Sequence, residues 1–206
     1  MTAMPTAAPP RERILRTAHD LFYRDGIRAT GIDRVIAESG VAKVTFYRQF
    51  PSKDDLILAF LDFRHERWMA WFVDALARHG GSVAAIAPAL AEWFRGGDYR
   101  GCAFLNSVGE LAPALPAVLV HARRHKQDMT AAVARLMPPA RGRARVARAL
   151  ALAIDGAIVQ AQYLASPEPA VEALACVTTA LSKELAWSPG GGRNIRRFDP
   201  DPRNLS

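Results

Sequence analysis

The stretch GVAKVTFYRQF, residues 40–50, sets two demands on one short helix. Phe46 and Phe50 are core types four residues apart, so they share a face. Lys43, Thr45, Tyr47, Arg48 and Gln49 all carry hydrogen-bonding groups. With about 100° per residue and Phe46 set toward a core, Phe50 and Ala42 fall about 40° to either side. Val44 and Arg48 then point almost directly away, Thr45 and Tyr47 flank them, and Lys43 sits near the helix start. The outward face offers a cation, a hydroxyl, a phenol and an apolar contact. Such groups suit phosphates, base edges and thymine methyls.

What precedes this stretch fixes its setting. Ser39-Gly40-Val41 makes a tight turn after a short helix over about 31–38, whose apolar stripe is Ile32, Val35 and Ile36. Thr30 and Asp33 have N-cap and N3 spacing there. Two helices joined by a short turn containing Gly form a helix-turn-helix candidate, and the second helix is the one that enters a major groove. An earlier helix over about 11–25 carries Ile14, Leu15, Ala18, Leu21 and Phe22 on one face and ends at Gly26. After Pro51, Ser52 caps a long helix reaching about Arg78, with Asp54 and Asp55 at its positive end. Lys53, Thr30 and Arg28 stand at helix ends where side chain and backbone N–H could hold a phosphate together. Wheel and charge alone also fit a solvated amphipathic helix that happens to be basic.

The bulk composition narrows the class without deciding between these. The chain has 206 residues, half of them hydrophobic, which is ample for a buried core. A net charge of +7 suits nucleic acid, an anionic surface or plain solubility. Two cysteines, Cys102 and Cys176, are too few for a disulfide scaffold. The first residues lack the basic start and apolar run of a signal peptide, and no stretch reaches the length of a membrane span. These features describe a cytoplasmic protein without a membrane partner. Residues 1–10 are expected as a mobile arm and 188–206, rich in Gly, Pro and charge, as a disordered tail. Between them every segment has helical periodicity, with further helices near 83–95, 102–111, 114–137, 141–165 and 168–186. The expected class is all-α.

The residues from 13 to 61 carry a resemblance. RILRTAHDLFYRDGIRATGIDRVIAESGVAKVTFYRQFPSKDDLILAFL is similar to the N-terminal domain of the TetR family of transcriptional repressors. The likeness lies in the A-x-x-L-F-x-x-x-G end of the first helix, the G-V-A-K-x-T-F-Y-x-x-F segment and the P-S-K-x-x-L start of the fourth. It covers about a quarter of the chain. It implies a DNA-binding domain over 11–55, joined by the long helix to an all-α regulatory and dimerisation domain over 56–187. It also implies that Lys43, Val44 and Thr45 meet bases or nearby backbone, that Tyr47 and Lys53 bind phosphates, and that Arg48 and Gln49 occupy variable positions that touch DNA. Gly31 departs from the pattern, since many members have Ser or Thr there, which leaves Thr30 to make that phosphate bond.

The resemblance further implies a homodimer built on the last two helices and a cavity for a small-molecule inducer. On the dimer, the residues offer stripes that include Leu150, Ile154, Ala157, Ile158 and Ala161 in one helix, and Leu174, Thr178 and Leu181 in the next. Ordinary core within one subunit explains the same stripes. For the cavity, Trp68, Trp71, Phe72, Trp93, Phe94 and Phe104 are apolar candidates, with Asn106 or Tyr163 as polar fixtures. An aromatic inducer suits them, and the basic excess adds an anionic character. His121 and His125 have a metal-compatible spacing in cationic surroundings, and Cys102 lies near Arg100. Neither outweighs a structural role, and no metal or cofactor is expected. No catalytic arrangement stands out. The sequence therefore reads as a ligand-released repressor acting on a palindromic double-stranded site. An activating or ligand-independent regulator, or an all-α carrier or enzyme, remains as an alternative.

Overall fold

Pro10 opens the first helix, at a position where a missing N–H costs nothing. In the computed structural model, which describes residues 8–186, α1 runs Pro10–Asp25, α2 Ile32–Ser39, α3 Lys43–Gln49 and α4 Lys53–Arg78. A 3₁₀ turn at Val83–Ala85 leads into α5, Ile86–Phe94. Then come α6, Ala103–Leu111, α7, Val118–Arg135, α8, Arg143–Tyr163, and α9, Glu168–Ala186. The described residues are all-helical, as the periodicity predicts. Pro10, the last residue of the expected arm over 1–10, opens α1; residues 1–7 and the expected tail 188–206 lie outside the described residues.

The head is built by α1 packing against α2, α3 and α4. Ile14, Leu21, Phe46, Phe50, Leu56 and Phe60 meet at its centre, each essentially sealed from water. Burial of such side chains contributes about 1.5–3 kcal/mol each against leaving them exposed. The helix starts differ in strength. Ser52 caps α4: its Oγ accepts the Asp55 N–H at 3.0 Å and donates to Asp55 Oδ2 at 2.6 Å. At α2 the N-cap is Gly31, without a side-chain bond. The expected cap, Thr30, instead donates its hydroxyl to Gly26 O at 2.8 Å.

The α4 helix spans 26 residues without a break, so it passes through the expected domain boundary at 55/56 as one rod. Its second half packs on α5, α6 and α7, and α7 packs on α8. The last helix lies against both α5 and α8. Leu150, Ile154, Ala157 and Ile158 of α8, with Leu174 and Thr178 of α9, are buried within this single subunit. This corrects their assignment to a dimer interface: a side chain already covered by its own chain has no surface to offer a second copy. Ala161 and Leu181 are half-buried against the same core. The apolar side chains that remain uncovered are different ones, Leu152, Val159 and Tyr163 of α8 and Val177 of α9.

Candidate nucleic-acid interface and its link to the body

The recognition segment is held from behind by its aromatics. Phe46 and Phe50 lie in the head core, and Phe46 meets Tyr47 edge-on at 5.3 Å. Gly40 turns the chain between α2 and α3 with φ 63°, a left-handed conformation that glycine adopts without steric cost. Arg13 of α1 donates to the Gly40 carbonyl at 3.3 Å and ties the turn to the first helix. With the inner face fixed, the outer face follows from the helical period. Lys43, Val44, Tyr47 and Arg48 are exposed, while Thr45 and Gln49 are half-buried at the edges. Val44, an apolar residue, is 79% exposed with nothing covering it. Lys43 reaches Asp33 at 3.3 Å, but both ends of that pair are in water, where such a pair contributes little and yields to a stronger anion.

Three further candidates stand elsewhere. The Arg28 side chain is exposed beside this face's neighbouring turn. Lys53, at the first turn of α4, is half-buried and donates to Ile27 O at 2.7 Å; burial lowers its pKa from the ordinary lysine value. Two ammonium hydrogens remain for an external acceptor. Thr30 is the correction. It is completely buried, and its only hydroxyl hydrogen is given to Gly26 O, so it presents no donor to a phosphate. Gly31 is exposed and open, with no atom near the place a Cβ would occupy.

The turn between α1 and α2 is gripped from the body. Glu110 of α6 accepts the N–H groups of Ile27 and Arg28 on one oxygen, Oε2, at 3.2 and 3.1 Å. Nearby, the Tyr23 hydroxyl donates to Gly101 O at 3.0 Å and accepts the Arg100 N–H at 3.1 Å. These contacts cross from the head to α6 and border a crevice of about 270 Å³. The sequence held no signal that the partners of Glu110 lie about eighty residues earlier. Asn106 belongs to this crevice, where it donates to Arg100 O at 3.0 Å.

The aromatic candidates divide. Trp68, Trp93 and Phe104 line a small cavity of about 10 Å³ in the body. Trp71 is half-buried and directs its indole N–H at Glu92, 3.4 Å away. Glu92 also pairs with Arg78, which holds its carboxyl at about 2. Phe72 and Phe94 are sealed in the core beside the cavity rather than on its wall. Asn106 and Tyr163 do not reach it: the first faces the crevice just described, and the second is 68% exposed. The cavity also has walls that periodicity did not reveal, Arg64 and His125. Desolvation, reinforced by neighbouring cations, pushes the His125 pKa down to about 2, and its ring stacks on Phe104 at 3.8 Å.

His121 and His125 bond to different partners, Asp62 and His65, and among the described residues no group of three metal-binding side chains forms. The Lys126 ammonium lies 3.4 Å from the Cys102 sulfur and 2.5 Å from Asp155. Arg100 is turned instead to the carbonyls of Gly97 and Tyr99.

Comparison with known proteins agrees with this geometry. Residues 14–60 match the model for bacterial regulatory proteins of the tetR family. A helix-turn-helix-type transcriptional regulator from the lacX 3′ region of Lactococcus lactis subsp. lactis is 27% identical over 107 residues, 50% of this chain and 55% of that protein. The match thus spans about half the length of that curated relative. Among solved structures, SCO4454, a TetR-family transcriptional regulator from Streptomyces coelicolor, is 31% identical with a TM-score of 0.70. That likeness covers 86% of this chain and 96% of the other. The multidrug-binding protein EbrR, solved with malachite green, is 25% identical with a TM-score of 0.64, over 86% of this chain and 98% of its own. With the helix-turn-helix in place and a relative of this identity aligned along nearly its whole length, the chain belongs to the TetR family of DNA-binding transcriptional regulators.

Proposed function

We propose that the protein is a cytoplasmic, homodimeric repressor that binds a palindromic operator through residues 11–55 and is released by a small molecule bound in the body, 56–187. The carrying observation is the exposed set Lys43, Val44, Tyr47 and Arg48 on α3, over a face locked by Phe46 and Phe50. An apolar side chain left in water among cations and a phenol fits a thymine methyl set between phosphates. Arg28, Lys53, Thr45 and Gln49 complete the contact from its edges. A regulatory role, not a catalytic one, accounts for this surface.

The dimer is assigned to the uncovered faces of α8 and α9. Leu152, Val159 and Tyr163 succeed one another at helical spacing, and the exposed Gly156 between them permits close approach. Val177, with exposed Ala173 and Ala180, continues the apolar surface on α9. Pairing with a second copy removes it from water and sets two α3 helices side by side, as a palindrome demands.

Release by a ligand is supported by the aromatic cavity and by the bound malachite green of EbrR. The test is selection of DNA from a random pool by the full-length protein. A palindrome with half-sites about 34–36 Å apart is the expected product. Equal footprints from wild type and a Lys43→Ala, Tyr47→Ala, Lys53→Ala triple variant would rule out this surface.

A further inference from the structure

Arg64 of α4 stands where a cation is expensive. It is half-buried, and among the described residues it takes part in no ion pair. Its guanidinium lies 3.9 Å over the Tyr23 ring and 3.4 Å from His19 Nε2. Loss of water lowers its pKa from the usual arginine value; Tyr23 opposes this most, then Asp98, which is exposed and forms no ion pair with it. Buried charges are ordinarily paired, so a guanidinium left like this has room for an external anion.

The same side chain borders the body cavity. Of the cavity's walls, Arg64 and Trp93 are half-exposed, and Trp68, Phe104 and His125 are buried. The mouth therefore lies between Arg64 and Trp93. The interior is aromatic and uncharged: Phe104 stacks on His125, and Trp68 meets both His125 at 4.9 Å and Trp93 at 5.6 Å. One polar group inside has no partner. The Trp68 indole N–H is buried without an acceptor, an arrangement that costs on the order of 1–3 kcal/mol until an acceptor arrives.

We infer that this cavity takes a planar aromatic carboxylate, its ring against Trp68 and Trp93 and its carboxylate on Arg64 at the mouth. The assignment rests on the ligand-responsive reading above and names the class of ligand. The fork of the guanidinium matches a carboxylate in two parallel hydrogen bonds, which a neutral amide cannot reproduce. At about 10 Å³ the closed cavity holds no ring, so the ligand displaces Trp93, the half-exposed aromatic of its wall. Pairing with a carboxylate also draws Arg64 from Tyr23, the residue that joins the head to Gly101 and Arg100.

The experiment is calorimetric titration of the full-length protein with benzoate, cinnamate and 1-naphthoate, each beside its own amide. At least one acid binds with a Kd below about 1 mM and about tenfold or more below that of its amide. Arg64→Gln brings that acid to the level of the amide and leaves the amide unchanged. On wild type, the acid and not the amide shields Arg64 from phenylglyoxal, read by peptide mass, a result that needs no variant to fold. Equal affinity of acid and amide, no heat from any acid, or equal modification with and without acid each overturns the assignment. Selection of operator DNA without ligand is measured in parallel. DNA selected while the acids fail sinks this site alone, and acids bound while no DNA is selected sink the regulator reading.

Discussion

One carboxylate oxygen, Oε2 of Glu110, takes the backbone N–H groups of two consecutive residues, Ile27 and Arg28, across the joint between head and body. The φ of 88° at Gly26 presents those N–H groups together, and a Cβ there would lie 3.6 Å from the other Glu110 oxygen. Charge-assisted bonds to backbone are among the stronger kind in proteins.

Glu110→Gln keeps one acceptor and removes the charge, whereas Glu110→Ala removes both. The alanine variant should lose about 1–2 kcal/mol of stability, with glutamine between it and wild type. Urea denaturation of the three proteins checks the order. Indistinguishable midpoints would show that the clasp carries no energy.

On the DNA face, Tyr47→Phe removes a single hydroxyl from an exposed position. Operator affinity should fall about fivefold on every sequence tested, since a phosphate contact carries no base information. Lys43→Ala should also reduce the slope of log affinity against log salt by about one. Gel-shift titrations at several salt concentrations measure both. A Tyr47→Phe protein of unaltered affinity removes that residue from the interface.

Two substitutions on α8 separate core from interface. Leu152 is 75% exposed and Ile154 is 0% exposed, though they stand two residues apart. Leu152→Glu should give a folded monomer with weak operator binding. Ile154→Glu should fail to fold or lose about 3–5 kcal/mol, because its carboxylate is buried without a partner. Sedimentation and circular dichroism distinguish the two, and a wild-type monomer at micromolar concentration would sink the dimer assignment itself.

Acid should weaken the fold through His125. Its folded pKa of about 2 lies below the ordinary value of 6.5, so below about 6.5 the unfolded chain binds the proton and the folded one does not. Stability is then level above pH 6.5 and falls as pH drops below it, by up to about 1.4 kcal/mol per unit from this residue. His65 and His19, whose pKa values burial also lowers, act in the same direction. Denaturation midpoints between pH 7.5 and 5 should show the decline, and His125→Phe should flatten it. An equal slope in the variant would count against this origin.

The helices were legible because each carries a clean apolar period closed by Gly, Pro or a capping Ser. Ser52 was readable as a cap from its own identity and the acids after it. Thr30 was not, because a threonine before a helix can bond forward as a cap or back to the preceding turn, and only the path of the chain at Gly26 decides. On α8 the limit is geometric. Its apolar residues cover more than one side, and inner core and outer interface use the same types, so Ile154 and Leu152 cannot be told apart without the packing of α7 and α9. Aromatic content located the cavity's neighbourhood through Trp68, Trp93 and Phe104. It could not show that Tyr163 faces water, or that Arg64 and His125 form the wall.

The unbroken α4 has a mechanical consequence. Its 26 residues make a rod of about 39 Å. Hydrogen bonds run its whole length, with no proline or glycine inside it to absorb a bend. Pivoted at the body end, a rotation of about 5° carries the Ser52 end through about 3 Å, close to the roughly 3.4 Å that each nucleotide of a strand advances along the duplex axis. In the proposed dimer each subunit contributes one such rod, and the two displacements add or cancel according to the dyad. An angular change too small to unpack any helix is therefore enough to set the paired reading heads out of step with the groove.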